Sequence, residues 1–306
     1  MAESLSLKGK TALVTGAGAG LGKAEALALA SAGAAVIVND MTDRADEVVS
    51  EIVGAGGQAI AVKGDVSDWA LAESMIQTGV KEFGSFDILV NNAGITRDTM
   101  IFNLTEADWD SVLKVHLKGH AATARAAAAH WRNTSKATDA PVYGRVINTA
   151  SEAALFGPAG QPNYGAAKAG IIALTLSISQ GLSRYGVRAN AIAPRARTEM
   201  TEAVFKDIDQ TSGVDALAPE RVATLVEYLA SPASDEITGQ VFVVYGNMVT
   251  LMAAPQIEKT FTAADGTFTA EEMDAQLTSY FTGRGKYETY SAYSIAALEK
   301  DALTIE

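Results

Sequence analysis

Between Lys10 and Gly246, short β-rich runs alternate with longer alanine-rich segments of helical periodicity, and this alternation constrains the fold more than any other feature of the chain. Strand-like runs fall at 11–16 (TALVTG), 35–40 (AVIVND), 59–66 (AIAVKGDV), 87–94 (DILVNNAG), 145–151 (RVINTAS), 187–194 (VRANAIAP) and 239–246 (GQVFVVYG). Seven such strands joined by six crossovers predict a doubly wound parallel α/β sheet, because parallel neighbours need a connection long enough to hold a helix. The runs are almost continuously apolar, as suits strands covered on both faces. We expect one α/β domain over residues 1–250 and a C-terminal extension over 251–306. Residues 133–144 (NTSKATDAPVYG) are expected to form a surface loop.

Composition narrows the chemistry. The chain has no cysteine, which excludes disulfides, thiolate catalysis and thiolate-held metal. Its three histidines, His116, His120 and His130, and its carboxylates are not spaced as a ligand set, so no metal site is expected. A formal charge of −12 opposes general affinity for nucleic acid or an anionic membrane. Apolar runs such as AAVIV fall far short of the ~20 residues that span a bilayer. The start, MAESLSLKGK, has no long apolar core, so a cytoplasmic location is expected.

The first strand runs into TGAGAGLG and then a helix, KAEALALASAG. Glycine permits a sharp turn and close backbone approach, and a helix N-terminus offers free N–H groups to a pyrophosphate. Gly16, Gly20, Leu21 and Gly22 are the expected contacts, in a spacing that departs from G-x-G-x-x-G. The second strand stops at Asp40, where a carboxylate can bind ribose hydroxyls and repel a 2′-phosphate. With no Arg or Lys inside the glycine turn or directly after Asp40, the expected cofactor is NAD rather than NADP. The alternative role for Asp40 is to cap a turn. Asp65 and Val66 are placed to meet the adenine.

A second cluster lies in GRVINTASEAALFGPAGQPNYGAAKAGIIALT, residues 144–175. Tyr164 and Lys168 are four positions apart, so on a helix they share a face about one turn apart. A neighbouring ammonium favours a phenolate and lowers the tyrosine pKa from ~10, making Tyr164 a candidate general acid/base. Ser151, at the end of a strand, can hold a substrate oxygen against that phenol. The alternative is an ordinary amphipathic helix bearing a surface Tyr and Lys.

With the glycine turn, Asp40, NNAG at 91–94, Ser151, Tyr164-x-x-x-Lys168, Pro194 and Thr198 in this order, the chain resembles the short-chain dehydrogenase/reductase family from about Gly9 to Gly246. The resemblance implies a single Rossmann domain and hydride transfer between nicotinamide C4 and a carbinol or carbonyl carbon. It implies that Tyr164 is the acid/base, that Lys168 binds the nicotinamide ribose, and that Ser151 orients the substrate. Asn91, Ala93, Gly94 and Pro194 line the cofactor, and Thr198 approaches its carboxamide. Where the family usually carries an asparagine supporting a proton path to the lysine, KVHLKGH places His116, which is accordingly a catalytic candidate, with simple packing in the helix interface as its alternative. The form VHL(K/R)G, with VND, NNAGITRD and NAIAPRARTEMT, resembles the dehydrogenase part of peroxisomal multifunctional enzyme type 2 and its actinobacterial relatives.

That likeness implies a small-molecule substrate, a 3-hydroxyacyl-CoA, with a 17β-hydroxysteroid as competitor and 3-oxoacyl-carrier-protein reduction as third reading. A dinucleotide-binding regulator without turnover is the alternative of a different class. Arg97, Arg195 and Arg197 are candidates to meet acyl-CoA phosphates, and each has a structural ion pair as its alternative. The resemblance also implies a homodimer or homotetramer, with long helices at 105–131 and 161–186 available for packing. In the extension, Thr269 to Glu272 reads as a capping box with Phe268 as its staple. Tyr280, Phe281, Tyr287 and Tyr290 favour burial on the subunit or on a partner's active site.

Overall fold

The computed structural model describes residues 3–202, 215–285 and 288–298. In chain order the elements are β1 (Thr11–Thr15), α1 (Gly20–Ser31), β2 (Ala35–Asp40), α2 (Arg44–Gly54), β3 (Gln58–Lys63), α3 (Trp69–Phe83) and β4 (Ile88–Asn91). They continue through α4 (Glu106–Leu113), α5 (Gly119–Thr138), β5 (Gly144–Thr149), the short α6 (Ala153–Phe156), α7 (Pro162–Leu182) and β6 (Val187–Pro194). After these come α8 (Pro219–Ala230), β7 (Val241–Tyr245), β8 (Met248–Leu251), and two short helices, α9 (Ala270–Met273) and α10 (Ser279–Thr282).

Local chemistry sets several boundaries. Asp68 caps α3 by accepting from the Ala70 and Leu71 amides, and Gly84, at φ 88°, ends it in the left-handed region. Thr105 caps α4 through the Asp108 amide, and Pro162 stands in the first turn of α7. The Thr269–Glu272 capping box is formed in both directions.

Among the described residues eight strands lie in the order β3-β2-β1-β4-β5-β6-β7-β8. All pairs are parallel except β7 with β8. The sheet has one strand more than the seven expected. Gly246 and Asn247 join Tyr245 to its partner Met248, a two-residue hairpin with Gly246 at φ 61°. Successive residues of each central strand enter opposite layers. Ala12, Val14, Val36, Val38, Ile88 and Val90 pack with α1, α2 and α8. Leu13, Ile37 and Leu89 pack with α3, α5 and α7. Burial on both sides explains why these strands read as unbroken apolar runs.

The first half of the loop expected over 133–144 is helical. α5 carries on to Thr138, because Trp131 and Ser135 are buried on its inner face and the Trp131 indole donates to Phe86 O at 2.8 Å. Asp139, at φ 51°, stops the helix and leaves a short connection to β5. Between α4 and α5 the helix widens into a π segment over Lys114–Lys118. Beyond β8 much of the chain is exposed, Ile257 at 87% and Tyr290 at 90%. Its end returns to the domain: Ser291 Oγ donates to Phe156 O, and the Ala292 amide to Leu155 O, both at 2.9 Å. Ile295 is there buried with Leu217 and Tyr245. Tyr287 lies outside the described residues.

Candidate active site

The strand order reverses between β1 and β4, and a cleft of about 440 Å³ opens at the carboxyl ends of these strands. Gly16, Gly20 and Leu21 form one wall, Asp40, Asp65 and Val66 one end, and Tyr164 and Lys168 the other, with Ala93, Gly94, His116, Pro194 and Thr198 between.

The glycine turn is tight. Gly16 and Gly20 have φ of 62° and 55°. A Cβ on Gly16 would lie 2.8 Å from Ala93 Cα, and one on Gly22 would lie 2.3 Å from Gly16 O. Gly22 therefore supports the turn from behind rather than lining the cleft. No side chain caps the N-terminus of α1, so its first amides are not taken by a capping residue. A narrow backbone cradle, uncapped amides and a strand-end carboxylate together fit a dinucleotide.

Asp40 ends β2 and holds the local turn. It lines the cleft, and its carboxylate accepts from the Gly18 amide (3.0 Å), the Thr42 amide (2.9 Å) and the Thr42 hydroxyl (2.8 Å). Asp65 accepts from the Ser67 amide and hydroxyl and pairs with Lys114 at 2.9 Å. Burial opposes its ionisation, but these partners outweigh burial and hold the carboxyl at about 2. Asn91 does not reach the cleft, contrary to expectation. It is fully buried, donates to Asn148 Oδ1 at 3.0 Å and accepts from Thr123 at 2.6 Å. Asn92 faces the cleft in its place and donates to Thr15 O and Gly16 O. A strand alternates faces at every residue, so the adjacent asparagines cannot share a role.

Ser151, Tyr164 and Lys168 come together. Ser151 Oγ accepts from the Ala153 amide at 3.1 Å and stands beside the Tyr164 phenol, whose pKa it lowers. Lys168 Nζ lies 5.4 Å from the Tyr164 ring centroid and donates to Thr149 O at 2.6 Å. Asn163, which sequence reasoning did not single out, is buried and binds Arg97 O at 3.1 Å while accepting from the Tyr164 amide at 2.8 Å. It ties the start of α7 to the loop after β4.

The electrostatics correct one expectation. Lys168 does not depress the Tyr164 phenol. Burial raises the phenol pKa, the Ser151 hydroxyl opposes that, and Asp98 adds to it. Burial also lowers Lys168 itself to about 7, so only about half of it carries a positive charge at neutral pH.

His116 sits in the π segment, 1% exposed. Its Nε2 lies 2.7 Å from Ile95 O and 3.0 Å from the Ile95 amide, and its ring meets that of Tyr164 edge-on at 5.2 Å. Burial, then Lys168, keep it well below the usual histidine range and hence neutral. A Cβ on Gly94 would fall 2.3 Å from His116 Cε1, so the glycine of NNAG makes room for this ring.

Two of the three arginines proposed for CoA phosphates are committed elsewhere. Arg195 pairs with Glu152 at 2.5 and 3.0 Å, and Arg197 with Asp215 at 3.1 Å. Withdrawing Arg195 would leave the buried Glu152 charge uncompensated. Arg97 is half exposed, its Nε 3.9 Å from Asp108. Among the described residues no group of three or more His, Asp or Glu could hold a metal, and no helix is long and apolar enough to cross a membrane.

A doubly wound sheet, a glycine turn at its switch point and a Ser–Tyr–Lys cluster across the cleft define a nicotinamide-dependent oxidoreductase. The short chain dehydrogenase family profile matches residues 10–209, and the chain belongs to that family. It is 50% identical over 296 residues to the hydroxyacyl-CoA dehydrogenase ChsB1 of Mycobacterium tuberculosis, covering 94% of this chain and 93% of that one. It is 41% identical over 282 residues to a peroxisomal hydratase-dehydrogenase-epimerase of Neurospora crassa, covering 88% of this chain but 30% of that protein. The structure of a short chain dehydrogenase from Mycobacterium avium superposes with a TM-score of 0.81 at 42% identity, over 92% of this chain and 96% of that one.

Proposed function

We propose that the protein is an NAD-dependent dehydrogenase that oxidises the secondary hydroxyl of a 3-hydroxyacyl-CoA. The observation carrying the reaction is that Tyr164 and Lys168, with Ser151 beside the phenol, stand on the wall of a cleft that runs to Asp40. The substrate class is supported by the likeness to ChsB1, whose name states a hydroxyacyl-CoA dehydrogenase and whose length this chain spans almost completely. The preference for NAD is supported by the Asp40 carboxylate, held rigid by three hydrogen bonds where a 2′-phosphate would have to approach.

Gly16, Gly20 and Leu21 would hold the pyrophosphate, Asp40 the adenosine ribose, Asp65 and Val66 the adenine side, and Lys168 and Thr198 the nicotinamide end. Bound there, NAD supplies the hydride acceptor and a positive charge beside the phenol. Ser151 Oγ holds the substrate oxygen, and Tyr164 Oη takes its proton during oxidation or returns one during reduction. Because burial favours the protonated phenol, Tyr164 is ready as a donor for reduction and must first release its proton for oxidation. His116 steadies Ile95 and the Tyr164 ring as a neutral group. Residues 251–306 act as an extension that closes the substrate end and contributes to a homodimer or homotetramer.

Dinucleotide reduction should be followed with a panel of 3-hydroxyacyl-CoAs and 17β-hydroxysteroids, each with NAD and NADP. The proposal requires a 3-hydroxyacyl-CoA with NAD to give the highest kcat/KM. A 17β-hydroxysteroid in first place, or a general preference for NADP, would overturn the substrate or the cofactor half respectively.

A further inference from the structure

Arg44 opens α2 four residues beyond Asp40, and its stem stands against the glycine turn. A methyl group built on Gly18 would lie 3.0 Å from Arg44 Cβ and 2.8 Å from the Asp40 carboxylate, so all three share one small patch at the rim of the cleft. The guanidinium is engaged elsewhere. Arg44 Nη1 donates to both carboxylate oxygens of Glu199, at 2.9 and 3.0 Å. Glu199 belongs to the loop after β6, from the other half of the sheet, and is itself part of the cleft wall. The bridge thus joins the two sides at the end where Asp40 lies.

We propose that Glu199 sets the dinucleotide preference by occupying Arg44, withholding from a ribose 2′-phosphate an arginine that borders Asp40. The inference rests on the NAD reading above and gives it a second determinant. A guanidinium presents a fork of donors that matches phosphate oxygens, and a 2′-phosphate carries more charge than a carboxylate, so a released Arg44 would bind it. Two carboxylates oppose that outcome in different ways. Asp40 repels the phosphate directly from a fixed position, while Glu199 takes up the cation that could compensate. Both partners of the bridge are substantially exposed, with side chains 49% and 74% accessible. Such a bridge is weak, so removing Glu199 should shift the preference by about three- to tenfold without inverting it while Asp40 remains.

The test measures binding of 5′-AMP and 2′,5′-ADP to the protein without turnover, since these probes differ only in the 2′-phosphate. Glu199→Gln is expected to improve the affinity for 2′,5′-ADP relative to 5′-AMP by about three- to tenfold at low salt, with the gain shrinking as salt rises. Adding Arg44→Met to that variant is expected to cancel the gain. An unchanged ratio in Glu199→Gln overturns the proposal, and so does a gain that persists without Arg44, which would reflect removal of charge alone. The wild-type ratio tests the NAD reading separately: preference for 2′,5′-ADP would defeat that reading, while the Arg44-dependent shift would still report on Glu199.

Discussion

Glu25 faces the protein core from α1 with no accessible surface, and neither carboxylate oxygen has a hydrogen-bond partner among the described residues. Burial pushes its pKa from 4.5 up to about 8. Across that window the folded protein keeps a proton that the unfolded chain has lost, so stability falls as pH rises from about 4.5 to about 8. Glu25→Gln removes the ionisable group and should stabilise the protein by about 3 kcal/mol at pH 7, with little gain near pH 4. Denaturation of both proteins across that range checks this, and a gap independent of pH would contradict it. Nothing local in KAEALALAS marks Glu25 as buried. The same limit applies to Arg44 and Glu199, 155 residues apart, whose contact is created only by the fold. Ser151, Tyr164 and Lys168 were legible because their spacing matches helical and strand geometry. The raised Tyr164 pKa was not, since it depends on the burial of the phenol itself and on Asp98.

The glycine turn shows what an element requires beyond its pattern. Gly22 leaves no room for a side chain, because a Cβ would meet Gly16 O at 2.3 Å and Asn92 Nδ2 at 2.6 Å. Gly22→Ala should therefore displace the turn and weaken NAD binding at least tenfold, while Gly54→Ala, in open space at the end of α2, should leave binding unchanged. Calorimetric titration of the two variants checks the contrast, and equal affinities would contradict it. All seven predicted strands are present because their apolar runs satisfy two core layers at once. The eighth was signalled by Gly246-Asn247 between VFVVY and MVTL, a hairpin pattern masked by the expectation of a wholly parallel sheet. The end of α5 was missed for the opposite reason. TSKATDAP has the polar composition of a loop, but the buried Trp131 and Ser135 extend the helix.

At the scale of the molecule, the last described segment returns to the helix that follows Ser151. Ser291 and Ala292 bind the carbonyls of Phe156 and Leu155, and Ile295, 2% exposed, fills the space between α6, Leu217 and Tyr245. Ile295→Asp places a charge in that apolar contact. The variant is expected to raise KM for an acyl-CoA substrate about fivefold or more with a smaller change in kcat, because α6 directly follows Ser151, the proposed holder of the substrate oxygen, while Tyr164 is carried by α7. Steady-state kinetics with both substrates varied checks the split, and an unchanged KM would separate this segment from substrate binding. Such a role for the extension had only composition behind it in the sequence; on the subunit itself Tyr290 is 90% and Phe281 53% exposed.

The reaction turns on a single oxygen atom, Tyr164 Oη, and Tyr164→Phe removes it while leaving the ring against His116. NADH formation from a 3-hydroxyacyl-CoA, measured alongside NAD binding, should fall by a factor on the order of 10³ or more in this variant with NAD affinity within about twofold of wild type. Turnover retained near the wild-type rate with NAD still bound would contradict the assignment of Tyr164 as the group that exchanges the proton.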